Sequence, residues 1–221
     1  MQMKKALLIC VIIATLLILT CSTLSCFTDT ETGRGFVSSG ELCIRQHEYG
    51  VYAGPGSENN KPFEHNQLLY PGSAVDKIVT VENIGSPPAY VRTFVAVPTA
   101  GNGKTLASLT HGTDKNWVWA DPITNVNIDG AVYDIFCAVY TIPLAAGETT
   151  PPCILGYTVS SNVNQNKSQY VYQDGTTLIP LGKSEVFNIR VATEASQTLM
   201  FEDVYDAMNV SFGTSTEHHP W

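Results

Sequence analysis

Short stretches of β-branched and aromatic residues, separated by clusters of glycine and proline, make up most of the chain. Three clear examples are DKIVTVENIG (76–85), AYVRTFVAV (89–97) and AVYDIFCAVYTIPL (131–144). Such residues favour strands, whereas glycine and proline mark the turns between them. Only FEDVYDAM (201–208) has a helical character, and no helical pattern is long enough to connect parallel strands. The sequence therefore predicts an all-β fold, an antiparallel sandwich or barrel.

The N-terminus has the layout of a secretory leader. The chain begins MQMKK, continues with an uninterrupted apolar run over 6–19, and then supplies small residues. These are the three parts of a signal peptide, and the run is shorter than a transmembrane helix requires. We therefore predict a helical signal peptide over 1–25, with cleavage at Ser25 or Cys26 that gives a mature start at Cys26 or Phe27. A retained membrane anchor and a lipid-modified cysteine are the two alternatives.

Composition limits the classes of partner. The chain has 221 residues, of which 44% are hydrophobic and 14% charged, with a net charge of -8. This length suits one domain with a real core, and we expect it to span 26–212. Nucleic acid is excluded as a partner because the lysines and arginines form no basic stripe. The last residues, 213–221 (GTSTEHHPW), are predicted to form a flexible tail.

Two cysteines flank a predicted turn. Cys137 and Cys153 lie almost symmetrically about LAAGE (144–148). Because an exported protein can form disulfides, the two residues could pair across a hairpin. The alternative is that both are small buried hydrophobic residues, and the sequence favours neither interpretation. No CxxC motif or cluster of cysteine and histidine indicates zinc.

Catalytic and metal-binding motifs are missing from the sequence. The histidines are isolated or lie in the tail, and neither HExxH nor a GxSxG elbow occurs. NVNIDG (125–130) matches the first half of a calcium loop, but Phe136 stands where the bidentate glutamate is required. Asp129 and Gly130 therefore predict a hairpin turn instead. We expect no enzyme activity, no cofactor and no metal site.

The junction after the leader carries a family resemblance. The junction reads CFTDTETGRGFVSSGEL (26–42). Three later segments contribute to the resemblance: YPGSAVDKIVTVENIGSPPAYVR (70–92), LAAGETTPP (144–152) and FNIRVATEASQ (187–197). In this order the segments resemble the TasA/camelysin family of exported proteins, over nearly the whole chain. The junction residues that match the family phrase are Phe27, Thr28, Asp29, Phe36, Ser39, Gly40 and Leu42.

The resemblance implies a jelly-roll β-sandwich secreted to the cell surface or biofilm matrix, after removal of the leader by a dedicated signal peptidase. In fibre-forming members the freed N-terminal segment adds as a strand to the next subunit. Here that segment would comprise Phe27, Thr28, Asp29, Phe36 and Val37, and the expected partners are other copies or related matrix subunits. Contact with a membrane would occur only through the leader.

The resemblance also leaves two alternative functions open. One is a camelysin-like cell-surface metallopeptidase, which would need His47 and His65 to meet an acidic residue. The other is a membrane-held adhesion or spore-coat-associated module, which would need the leader to remain attached. Cys26 stands where family members usually have alanine or tyrosine, so it could cross-link subunits or carry a lipid.

Overall fold

The computed structural model describes residues 28–31, 42–65, 69–101, 103–166, 169–181 and 188–221. The described residues form strands and one helix, α1 (Val204–Phe212). The strands are β1 (Thr28–Glu31), β2 (Ile44–Val51), β3 (Lys61–Pro62), β4 (Ala74–Asn83), β5 (Ala89–Pro98), β6 (Ala107–His111), β7 (Trp117–Trp119), β8 (Ile123–Ile128), β9 (Ala131–Leu144), β10 (Ile154–Val159), β11 (Val163–Asn166), β12 (Gln169–Asp174), β13 (Thr177–Pro180) and β14 (Arg190–Gln197). The predicted signal peptide lies outside the described residues.

The strands form antiparallel sheets, which confirms the predicted all-β class. The first sheet has the order β1–β14–β5–β9–β7, and β8 also pairs with β9. The second has the order β3–β2–β4–β10–β6, and β11, β12 and β13 form a small third sheet. The two larger sheets contribute side chains to one shared core, which includes Ile44 and Val79 from the second sheet and Val91 and Val95 from the first.

The first sheet is covered on both faces, which explains its continuous apolar strands. All ten residues of β5 are buried. Val91 and Val95 point into the core between the sheets, whereas Tyr90 and Phe94 belong to a second core on the opposite face. Because side chains alternate along a strand, burial of both sets requires a covering layer on each side. Helix α1 supplies the outer layer.

Helix α1 begins and ends at residues suited to those positions. The side chain of Asp203 accepts a hydrogen bond from the backbone N–H of Asp206 at 2.9 Å, as an N-cap does. Val204, Ala207 and Met208 are buried against the sheet, and their spacing places them on one helical face. The segment 201–208 therefore forms the short helix that its sequence predicts.

The predicted hairpin turn between β8 and β9 is confirmed. Asp129 and Gly130 have φ angles of 53° and 84°, and the flanking residues Ile128 and Ala131 pair across the turn. Two consecutive residues at positive φ are typical of a two-residue type I′ turn, for which Asp-Gly is a favoured sequence.

The C-terminal segment, Gly213–Trp221, which the sequence predicts to be a flexible tail, makes several contacts with the first sheet. Trp221 packs against the second core. The carbonyl oxygen of Gly213 accepts a hydrogen bond from Nη1 of Arg92 at 2.8 Å, and His218 contacts Glu194. The segment is polar in composition but folds back over the first sheet, where buried charged groups provide its partners.

Candidate functional site

The edge of the first sheet brings the N-terminal strand to β14. Thr28 pairs with Ser196 and Glu31 pairs with Thr193, in an antiparallel register. On its other side, β14 pairs with β5 along all of Arg190–Gln197. The short β1 therefore covers only Thr193–Ser196, in the C-terminal half of one side of β14. Among the described residues, no strand pairs with that side of Arg190.

Several other sheet edges in the described part of the chain are short or interrupted, and are therefore less suited to pairing. Strand β3 has two residues and ends at Pro62, and β7 has three residues. Strand β8 has an irregular register around Asn125, whose φ is 58°, and β13 ends at Pro180. Short strands, prolines and bulges all blunt an edge. Strand β14, with eight residues, is longer than any of these.

A buried hydrogen-bond network ties β14 to the second sheet on the inner face. The hydroxyl of Thr193 donates to Oε1 of Gln46 at 2.8 Å, and it lies 3.0 Å from the hydroxyl of Thr93. Nε2 of Gln46 also donates to the carbonyl oxygen of Val191 at 3.4 Å. Because buried polar groups are costly when unpaired, these bonds favour one alignment of β14 with β2.

The same network continues to a buried ion pair. Gln46 Nε2 lies 3.0 Å from Oε1 of Glu48, whose other carboxylate oxygen pairs with the ammonium group of Lys77. Lys77 is only 3% exposed and lies 4.2 Å from the centre of the Phe63 ring. Each charged group therefore has a partner, as buried charges require.

A second buried ion pair lies on the outer face of β14. Arg92 and Glu194 are cross-strand partners, and Nε of Arg92 donates to Oε2 of Glu194 at 2.8 Å. Both side chains are 1% exposed. The Arg92 guanidinium also lies 5.0 Å from the centre of the Phe94 ring. On its other side, Glu194 is the register partner of Thr30 in β1.

The structure describes only some of the residues that are predicted to donate a strand. Thr28 and Asp29 lie in β1, at the sheet edge. Phe27, Phe36 and Val37 lie outside the described residues. The predicted cleavage residues also lie outside them; these are Ser25 and Cys26.

Cys137 and Cys153 do not form the disulfide that the sequence left open. Cys137 belongs to the core under α1, whereas Cys153 belongs to the core between the two sheets. Opposite faces of the sheet keep the two sulfur atoms apart. Burial raises the pKa of both thiols to about 12, so each behaves as a small buried hydrophobic residue.

The histidines are distributed over separate contacts. His47 Nε2 lies 2.8 Å from a carboxylate oxygen of Glu82, whereas the His65 ring meets Phe63 edge-on. His111 stacks on a tryptophan ring, and burial lowers its pKa. In the ranges that the structure covers, no group of three His, Cys, Asp or Glu side chains could hold a metal ion. Within the described residues, His47 and His65 therefore do not belong to a set of ligands such as the peptidase alternative would need.

A polar groove lies away from the β14 edge. Its volume is about 440 Å³, and its wall includes Lys104, which pairs with Asp174. Small and hydroxyl-bearing residues form most of the remaining lining: Gly72, Gly103, Thr105, Ala107, Ser108, Thr158, Val159, Ser160, Ser161 and Tyr172.

Sequence reasoning missed the paired groups around β14. The available signal was a single charged residue inside each of two apolar segments, Arg92 in AYVRTFVAV and Glu194 in RVATEAS.

Helices able to cross a membrane were not found among the residues that the structure covers. Comparisons with family models, curated proteins and solved structures gave no match.

Proposed function

We propose that this chain is an exported, non-enzymatic structural protein of the cell surface or biofilm matrix. In this proposal the leader is removed, and the jelly-roll sandwich polymerises when its N-terminal strand moves to the next subunit. The observation that carries the proposal is the position of β1, a four-residue edge strand that starts three residues after Ser25. Removal of β1 from its own subunit would leave the regular edge of β14 as an acceptor.

The exchange would conserve the pairing that β1 makes within one subunit. A strand from a second copy can form the same four register pairs with Thr193–Ser196, as in domain swapping. Four residues make at most about four ladder hydrogen bonds, worth ~1 kcal/mol each, so release of β1 costs roughly 4 kcal/mol. That cost corresponds to about one open molecule in a thousand, which permits exchange without unfolding of the sandwich.

The connection to β2 is long enough for a strand to reach a neighbour. Residues 32–41 separate Glu31 from Leu42. Ten residues span about 35 Å when they are fully extended, which is more than the thickness of a two-sheet sandwich. Before cleavage, the leader would hold this segment at the membrane. Cleavage would therefore make the strand available to other copies.

Filament formation by the mature protein tests this proposal. We expect a chain that starts at Phe27 to form filaments visible by electron microscopy, and a variant that lacks 27–37 to remain monomeric. A synthetic peptide with the sequence of 27–37 should bind the deletion variant in a one-to-one complex. As a matched control, the same peptide with Thr30→Pro should bind weakly, because proline removes a backbone donor from the strand. Filaments formed by the deletion variant would refute donation by this segment.

A further inference from the structure

The C-terminal segment, Gly213–Trp221, contacts the strand that is the proposed acceptor. His218 Nε2 lies 2.7 Å from Oε1 of Glu194, while Oε2 of the same carboxylate is bound by Arg92. The carbonyl oxygen of Gly213 accepts from Nη1 of Arg92 at 2.8 Å. Both ends of the buried ion pair are therefore bound by residues that follow α1.

Local structure holds His218 in this position. The φ of Gly213 is 97°, a left-handed conformation that favours glycine, and it turns the chain back toward the sheet. The backbone N–H of His218 then donates to the carbonyl oxygen of Thr214 at 2.9 Å. The His218 ring stacks on Phe212 and meets Phe94 edge-on, with ring centres 6.2 Å apart in each case.

Glu194 needs these contacts because it is a charged group inside the protein. Its side chain is 1% exposed, so both carboxylate oxygens require hydrogen-bond donors. Arg92 is equally buried, and within the described residues its Nη2 atom has no hydrogen-bond partner. Loss of the contact from His218 would therefore leave Oε1 of Glu194 without this partner, and loss of the Gly213 contact would leave Nη1 of Arg92 without its acceptor.

Glu194 also defines which face of β14 points outward. A shift of one residue along a strand moves every side chain to the opposite face. Such a shift would bring Glu194 into the core between the sheets and would remove Thr193 from Gln46. The C-terminal contacts on the outer face and the Gln46 contact on the inner face thus favour a single register.

We propose that Gly213–Trp221 is a clamp that fixes the acceptor strand β14 in one register, and that His218 is its positioning residue through Glu194. The partner of the clamped edge is the N-terminal strand of a second copy, so this inference rests on the proposed function. The clamp makes this segment part of the assembly site. Release of the segment loosens the strand that receives Thr28–Glu31.

Amide hydrogen exchange on the exported protein tests the clamp directly. In the variant His218→Ala we expect Thr193–Ser196 to exchange about tenfold faster than in the wild type, because a charged hydrogen bond is lost. The matched control is His219→Ala, the neighbouring histidine of the same segment, because it is His218 that binds the Glu194 carboxylate. The variant His218→Gln retains a side-chain donor and should exchange more slowly than His218→Ala.

Filament assembly by the same variants separates this inference from the proposed function. Faster exchange together with slower filament growth in His218→Ala supports both. Faster exchange in a protein whose wild type forms no filaments supports the clamp and refutes the proposed function. Equal exchange in His218→Ala and His219→Ala overturns the clamp, even where the wild type assembles. Should His218→Ala fail to fold, His218→Phe takes its place in the comparison with His219→Ala, because it keeps a ring beside Phe94 and Phe212 but has no hydrogen-bond donor.

Discussion

Removal of the Glu194 carboxylate is the stability change that the structure predicts most sharply. In Glu194→Ala, the guanidinium of Arg92 stays 1% exposed but loses its charged partner. Breaking a buried pair in this way typically costs about 3–5 kcal/mol. Since domains are stable by roughly 5–15 kcal/mol, the variant should lose a large part of its stability.

Urea denaturation measures this loss, with fluorescence of the buried Trp117 as the probe. With a slope of ~2 kcal/mol per molar urea, the midpoint should fall by about 1.5–2.5 M. The double variant Arg92→Met with Glu194→Leu should stay much closer to the wild type, because it leaves no unpaired charge at this site. Asp174→Ala, which breaks an exposed pair, serves as the control and should cost at most about 1 kcal/mol. A similarly small loss in Glu194→Ala would show that the buried carboxylate does not stabilise the fold through Arg92.

Three further predictions concern close packing, backbone conformation and thiol burial. Gly156→Ala should cost roughly 1–3 kcal/mol in urea denaturation, because the new Cβ would lie 2.2 Å from the carbonyl oxygen of Val75; an unchanged midpoint would contradict that contact. Gly213→Ala should cost about 1 kcal/mol through its positive φ alone, since no atom lies closer than 3.6 Å to the new Cβ; a larger loss would point to a clash instead. Cys137 and Cys153 should react with a thiol reagent at pH 8 only after unfolding, and peptide mapping would identify the labelled cysteines. Rapid labelling of the two thiols in the folded protein would contradict their burial. Because their folded pKa of about 12 exceeds the ordinary thiol value, their contribution to stability should be complete below about pH 9 and lost as pH rises toward 12.

The parts of the fold with a strong local pattern could be predicted from the sequence. Strands β5 and β9, helix α1 and the Asp129–Gly130 turn all have residues whose local preferences agree with the final structure. Strands β11 and β12 have a polar sequence, NVNQNKSQYVYQD (162–174), in which the alternation that marks a strand is weak.

The arrangement around β14 could not be predicted because it depends on contacts between distant residues. Arg92 and Glu194 lie 102 residues apart, and Thr193 and Gln46 lie 147 apart. Periodicity identifies a buried face, but it does not identify the strand that supplies the opposite charge. The contacts of the C-terminal segment could not be predicted for the same reason, since its polar residues bind buried groups on the sheet.

Cross-linking between two differently labelled copies tests whether N-terminal strands pass from one subunit to the next. One chain carries Thr28→Cys and the other carries Ser196→Cys, at positions that pair in the register of β1 with β14. Both chains start at Phe27, which removes Cys26, and have the partly buried Cys43 replaced by serine, so that neither thiol interferes. The control replaces Ser196→Cys with Thr193→Cys, three register positions away.

If N-terminal strands pass between subunits, mixed filaments should yield a disulfide that joins the two labelled chains at Thr28→Cys and Ser196→Cys. The control pair should yield little of it, because the two cysteines are then about 10 Å apart along the strand. Filaments that form without this inter-chain disulfide would contradict strand exchange at the β14 edge.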